Sequence, residues 1–424
     1  MKLTEIPKGF KTLLPEESKR LKEAAEKFEK VLNSWGYDPL SLPTVEFLLP
    51  FKAVDDSLEE LSFKIVDRYT GRLMAVRPDF TPQVARVVAS SFKNEEPPFR
   101  FYYQGKVFRD TDGDREVNQF GFELIGVPQV EADAEVVAVM VNCLKELGLR
   151  SFQIDVGHAK FLKGALSEMG LKGEEREQVL KLLSHKDLSG LALFVEEKRE
   201  LKEKLLPLVE LYGTEEVLDR AEQLFKNEES RKAVEELRQV FQILKSYGFA
   251  ENVIFDLSEK KGMEYHTGIT FEVLHPLYGF PLGRGGRYDT LLEKFGKKLA
   301  ATGMAVNLDA VVELLEKKGL QRKREKKDFY LIDLKKELHL AYQLARELRN
   351  RGFSVARDIV KRNYEESVKV AFSKGYRFVV VLNREEEPKN LLYTSPDRWR
   401  ELKGELAEEL SRAAIITGRK SANS

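Results

Sequence analysis

The sequence predicts an α+β protein: an antiparallel sheet with flanking helices, interrupted by an all-helical insertion and followed by a smaller α/β domain. Three observations carry this. Two long β-rich runs, FRFYYQGKVFRD and VNQFGFELIGV, bracket a polar tip of turn formers, Asp112 to Arg115, and read as a long antiparallel hairpin. From about residue 160 to 250 the chain is charged, helical in period and without a convincing strand. From residue 328 onward, strand and helix patterns alternate as βαβαβ. At 424 residues the chain is too long for one core. The expected division is 1–320 for the first domain, with 160–250 as its insertion, 321–327 as a charged linker and 328–424 for the second domain.

The elements follow in order. Pro15-Glu16-Glu17-Ser18 opens a helix, since proline fits the first turn and acids suit its positive end. Leu21, Ala24, Ala25, Phe28, Val31 and Leu32 recur at helical spacing, and Gly36 stops the run. SFKIVDRYTGRLMAV reads as a hairpin around a Tyr-Thr-Gly turn, and RPDFTPQVARVVASSF enters a helix. ADAEVVAVMVNCLKELGL is an amphipathic helix closed by Gly148, with SFQIDVGH as the next strand. After the insertion, NVIFDLS and GITFEVLHP are strands, PLGRGGRYDTLLEKF is a glycine-rich loop, and ATGMAVNLDAVVELLEKKG is a strand running into a helix. In the second domain FYLIDL, HLAYQLARELRNRG, FSVARDI, YEESVKVAFSKG and RFVVVLN give the alternation. The tail ITGRKSANS is expected to fray.

Composition removes several function classes. Acids and bases balance, 70 against 70, so non-specific nucleic-acid binding is disfavoured. The single cysteine, Cys143, permits no disulfide within the chain, and its apolar periodic setting reads as a buried helical thiol. The five histidines show no metal-ligand spacing. No metal and no cofactor are expected. No signal peptide and no bilayer-length apolar run is visible, so a cytoplasmic protein is expected.

Two constellations are chemically suggestive. A small zwitterion needs an acceptor for its ammonium, a cation for its carboxylate and a partner for its side chain. Asp79 and Thr81 suit the first role, and Arg109 suits the second because a guanidinium grips anions bidentately. Gln119 and Glu123, four residues apart on a strand, share one face, and Glu123 can accept a ring N–H. On spacing alone, unrelated charges on a sheet face explain these residues equally well. The stretch GRGGRYDTLL offers Arg284 and Arg287 for anions, or is simply a structural turn; it matches neither a P-loop nor a dinucleotide fingerprint.

Read together, IPKGFKTLLPEE, WGYDPLSLPTVE, RPDFTPQVAR, the hairpin loop, KGMEYHTGITFE and LGRGGRYDTLL resemble the class II aminoacyl-tRNA synthetase fold in its histidyl form. The last domain is similar to that family's anticodon-binding domain. The resemblance implies a histidine pocket in which Glu123 holds the imidazole and Asp79, Thr81 and Gln119 hold the ammonium. It also matches Arg109 to the arginine that grips the α-phosphate, and it brings Lys261, Tyr265 and His266 to the same pocket. Dimerisation through Trp35 to Leu49 is implied as well.

The departures from the synthetase pattern are specific. Thr111 replaces an acid after the hairpin arginine. Lys261 replaces the catalytic arginine and His266 a tyrosine. Asn307 stands where the third motif has glycine, and Ala310 where it has the arginine of the ATP tail. Loss of one charge-stabilising donor typically lowers a rate by ~10²–10³. RPDFT, YHTGITFE and ATGMAVNLD are instead similar to the regulatory-subunit family of ATP phosphoribosyltransferase. That resemblance implies no catalysis and no tRNA charging. It implies activation of a short-form catalytic subunit within a hetero-octamer, and feedback inhibition by free histidine. The alternative is a functional histidyl-tRNA synthetase with divergent motifs.

Overall fold

Pro15 and the acidic pair Glu16 and Glu17 open helix α1 (Pro15–Ser34), where Glu17 also accepts a hydrogen bond from the Leu14 amide at 2.8 Å. Its stripe of Ala24, Ala25, Phe28 and Leu32 is buried, and Gly36 adopts a φ of 77° just beyond its end. The computed structural model describes residues 3–196, 199–258, 265–320, 326–334, 338–360, 362–382 and 390–416. The chain divides into two units, Met1–Gln321 and Arg322–Ser424.

In the first unit α1 is followed by β1 (Asp38–Pro39), β2 (Val45–Phe47), α2 (Leu48–Val54), α3 (Asp56–Glu60), β3 (Phe63–Val66), β4 (Leu73–Val76) and α4 (Thr81–Ser90). Next come β5 (Phe99–Phe108), β6 (Glu116–Ile125), α5 (Glu131–Glu146) and β7 (Gln153–His158). The insertion holds α6 (Ala159–Glu168), α7 (Gly173–Ser184), α8 (Leu188–Phe194), α9 (Arg199–Val209), β8 (Tyr212–Gly213), α10 (Glu216–Leu224) and α11 (Glu228–Ser246). The unit closes with β9 (Val253–Asp256), β10 (Ile269–His275), β11 (Tyr278–Arg287), β12 (Ala301–Asn307) and α12 (Leu308–Lys317).

Nine strands form the main sheet in the order β1-β5-β6-β12-β11-β10-β7-β9-β8, and β2-β4-β3 form a small second one. The expected hairpin is β5 and β6, paired antiparallel from Phe99↔Ile125 to Phe108↔Glu116. Strand alternation divides the faces of β6. Phe120, Phe122 and Leu124 enter the core with Phe28, Tyr37 and α5. Gln119 and Glu123 turn to the other side. Cys143 is buried in α5, and burial pushes its thiol pKa up.

Two expectations need correction. The glycine-rich stretch is no loop up to Arg287: it continues as β11, hydrogen-bonded to β10 on one side and β12 on the other. Ladder pairing on both edges overrides glycine's poor strand preference. The insertion also carries a strand, the two-residue β8, which pairs with β9. Two residues are too few to show a period.

Strands β7 and β9 are parallel neighbours, with Ile154 opposite Val253, so the whole insertion is their crossover connection. Glu168 at the end of α6 accepts hydrogen bonds from the Lys226 and Asn227 amides at 2.8 and 2.9 Å and from Asn227 Nδ2 at 2.8 Å. His158 at the end of β7 bonds Glu236 of α11 at 2.9 Å.

The second unit contains β13 (Lys327–Asp333), α13 (Leu338–Asn350), β14 (Val355–Arg357), α14 (Tyr364–Ser373), β15 (Tyr376–Leu382), β16 (Asn390–Ser395), β17 (Arg398–Leu402) and α15 (Leu406–Ile416). β13 runs parallel to β14 and β15, as the alternation predicts. The antiparallel pair β16 and β17 and the last helix go beyond that pattern. The charged run RWREL hides the strand alternation there. The charged stretch at 321–325 and the tail from 417 lie outside the described residues. Among the described residues no helix is long and apolar enough to cross a membrane, and no group of metal-ligating side chains assembles.

Candidate functional site

A cavity of about 460 Å³ opens on the face of the sheet formed by β5, β6, β12 and β11. Its lining includes Asp79, Thr81, Arg109, Gln119, Glu123, Tyr265 and His266, so seven of the eight residues expected from sequence converge on one site. The eighth, Lys261, lies outside the described residues.

Glu123 is its centre. It is 2% exposed, and its carboxylate accepts three hydroxyl donors: Thr81 Oγ1 at 2.9 Å, Tyr103 OH at 3.0 Å and Tyr288 OH at 2.5 Å. Two glycines make this approach possible. Gly303 stands opposite Glu123 on β12, and a Cβ there would lie 1.6 Å from Glu123 Oε2. Gly121 stands opposite Tyr103, where a Cβ would meet the phenol at 2.5 Å. Burial lifts the Glu123 carboxyl to about 7; the three hydroxyls pull it down, and the neighbouring Asp79 charge raises it. Burial, with Glu123 close by, also holds the phenols of Tyr103, Tyr265 and Tyr288 protonated, so they remain donors.

Asp79 and Thr81 flank the start of α4, whose preceding turn is fixed by Arg77. That guanidinium donates to Lys106 O and Leu42 O at 2.8 Å and lies over the Phe80 ring. Asp79 accepts long hydrogen bonds from Gln119 Nε2 at 3.5 Å and Tyr265 OH at 3.4 Å. Such loose bonds leave the carboxylate ready for a stronger donor. Arg109 directly follows β5 and donates through Nε to Pro78 O at 3.1 Å. Arg284 lines the cavity and pairs with Glu272 at 2.7 Å.

Arg287 is not an anion ligand here. It is buried, donating to Asp133 Oδ2 at 2.9 and 2.5 Å and to the carbonyls of Val127 and Gln129. Adjacent strand residues point to opposite faces, so Arg287 aims at α5 and not at the cavity. Asn307 and Ala310 also have internal roles. The Asn307 side chain caps α12 by accepting from the Ala310 amide at 3.1 Å, and Ala310 packs into the core. Asp309 accepts from the Asn118 amide at 2.8 Å and ties the helix to β6.

Sequence reasoning missed Tyr103, Tyr288 and Gly303. Tyr288 lies 165 residues from the carboxylate it bonds, and no local pattern reports such a pairing. The glycines were the available signal, since glycine inside a strand marks close approach of another group.

Comparison with known proteins agrees with this architecture. Residues 9–311 match the histidyl-tRNA synthetase family. The chain is 36% identical over 386 residues to the ATP phosphoribosyltransferase regulatory subunit of Syntrophotalea carbinolica, covering 89% of this chain and 90% of the relative. The subunit of the same name from Geobacter metallireducens is 36% identical over 374 residues, 86% of each chain. Among solved structures, an ATP phosphoribosyltransferase regulatory subunit/histidyl-tRNA synthetase from Bacillus halodurans C is 31% identical with a TM-score of 0.80, covering 90% of this chain and 98% of the other. A histidyl-tRNA synthetase from Nostoc sp. PCC 7120, 22% identical over 97% of this chain and 100% of the other, superposes with a TM-score of 0.81 and shows the shared fold. The chain belongs to the family of ATP phosphoribosyltransferase regulatory subunits, built on the class II fold of histidyl-tRNA synthetases.

Proposed function

We infer that the chain is a non-catalytic regulatory subunit that binds free histidine in this cavity, activates a short-form ATP phosphoribosyltransferase and takes part in its feedback inhibition. The observation that carries this reading is the contrast within one site. Asp79, Thr81, Gln119 and Glu123 gather around the cavity, while the positions that would steady a triphosphate serve as a helix cap, Asn307, and as core packing, Ala310. Amino-acid recognition without phosphate stabilisation fits a sensor rather than a ligase. Feedback requires that histidine bind one state of the assembly better than another, which is the thermodynamic content of an allosteric effect. The assembly we infer is a hetero-octamer with the catalytic subunit, built on self-paired copies of this chain and without tRNA. Residues 1–320 act as the synthetase-like domain and 328–424 as the anticodon-binding-like one.

The test is co-purification with the short catalytic subunit, followed by phosphoribosyl transfer assays with and without this chain. Activity that rises with the chain and falls on adding histidine is expected. No complex, or a complex of unchanged activity, would overturn the reading. A second reading, a working histidyl-tRNA synthetase, is favoured by Arg109 in the cavity and by the double name of the Bacillus halodurans structure. Histidine-dependent ATP–pyrophosphate exchange decides it: our reading expects none.

A further inference from the structure

The protonation state of the ligand follows from how Glu123 is held. This inference rests on the histidine reading above. The carboxylate is fully enclosed, yet every donor to it is a neutral hydroxyl: Thr81 from the start of α4, Tyr103 from β5 and Tyr288 from the segment after β11. No lysine or arginine among the described residues pairs with it. A charged group that acts on it is a second carboxylate, Asp79, on the wall of the same cavity. An ionised carboxylate accepts about four hydrogen bonds, so three hydroxyls leave one position open. Burying a charge without a partner is costly, and among the described residues no cation supplies that partner, so a bound ligand can supply it. A neutral ring N–H fills the open position but leaves the charge unbalanced. A cationic ring fills it and balances the charge.

We propose that the cavity takes the amino acid's imidazole as its cation, so that the ring and Glu123 together carry one proton in the complex. Atoms balance simply. A protonated Glu123 meeting a neutral ring passes its proton to the ring nitrogen. An ionised Glu123 meeting a protonated ring passes nothing. When both arrive protonated, one proton goes to solvent; when neither does, one is taken up. Binding therefore releases protons in acid and takes them up in base. With Glu123 near 7 and imidazole near 6.5, affinity peaks at a pH of about 6.7 and falls about tenfold within two units on either side. A ring bound neutral gives a different profile, with affinity rising through pH 7 and then level.

Other titratable or charged groups face the same space: Asp79, Arg109, Arg284, Tyr103, Tyr265, His266 and Tyr288. The comparison that isolates Glu123 is the Glu123→Gln variant, which keeps all of them and the ligand's own amino group. Calorimetric titration of the full-length protein with histidine, from pH 5 to 8.5 in buffers of different ionisation enthalpy, reads both affinity and proton exchange. The wild type is expected to show a bell and a reversal of proton exchange near neutrality. Glu123→Gln should bind at least tenfold more weakly near pH 6.7 and lose the bell, because only the ligand's own ring still titrates there. The wild-type profile stands as a test even if the variant fails to fold. An affinity that only rises and levels off in the wild type, or the same bell in Glu123→Gln, would overturn the cationic ring while leaving the pocket assignment intact. Absence of histidine binding at every pH would remove the pocket assignment and this inference together.

Discussion

Two buried carboxylates of the first unit, Asp133 and Glu123, are treated in opposite ways. Both are almost fully enclosed, at 0% and 2% exposure. Asp133 meets the buried Arg287 at 2.5 Å and welds α5 to β11. Burial lifts it to about 6, with Arg287 pulling the other way. Among the described residues Glu123 has only hydroxyls, and burial lifts it further, to about 7. One charge is answered within the protein and so is structural. The other, on our proposal, is answered by the ligand. A buried acid with an internal cation and a buried acid beside a cavity look alike in sequence, and only the partner distinguishes them.

The sharpest way to break the comparison is Arg287→Ala. It strands Asp133 without its cation, and the expected loss is about 3–5 kcal/mol of stability. Urea unfolding reads it, and Arg287→Ala with Asp133→Ala should recover part of the loss. A single-variant loss below ~1 kcal/mol would mean that the pair is not what joins α5 to the sheet.

Next comes the pH dependence of stability. An ordinary glutamate carboxyl titrates near 4.5, and Glu123 in the fold titrates near 7. Between those values the native state binds more protons than the unfolded one. Its contribution is fully present below 4.5 and is lost as pH rises through 7. The difference between wild type and Glu123→Gln should therefore change by ~3 kcal/mol across that window, with the wild type the relative loser at high pH. A flat difference would show that the hydroxyls already satisfy the charge.

The third test is Gly303→Ala. Its methyl would overlap Glu123 Oε2, so the carboxylate must leave Tyr288. A cost of about 1–3 kcal/mol in stability is expected, with at least a tenfold loss of histidine affinity. Unchanged binding would show that the position of Glu123 is not what the cavity reads.

Much of this was legible in the sequence. The β5–β6 hairpin announced itself through two β-rich runs and a turn-forming tip. The shared face of Gln119 and Glu123 followed from strand alternation alone. What stayed hidden depends on long-range pairing. Arg284 and Arg287 stand three residues apart in one motif, yet one lines the cavity and the other is buried against Asp133, 154 residues away. The Tyr288 hydroxyl on Glu123 is invisible for the same reason. Ala310 was legible as a departure, but that its place is taken by core packing and a cap from Asn307 needed the fold.

Glu168 has a practical consequence for anyone redesigning this molecule. Its contacts with Lys204 and Asn227 and with the Lys226 amide outweigh its partial burial and hold its carboxyl at about 2, so the join between α6 and α11 persists well into acid. The stretch it closes, 169–225, leaves and re-enters the body within a single hydrogen bond. A joint of a few residues spans the gap left by that lobe, with α11 still bridging β7 to β9, but the lobe supplies Leu211, Leu218 and Phe225 to the core that α6 and α11 share, so the faces it uncovers need polar replacements as well. The shortened protein loses β8 and uncovers the edge of β9, so it should be built with a charged residue or proline on that edge to keep it from sticking to its neighbours.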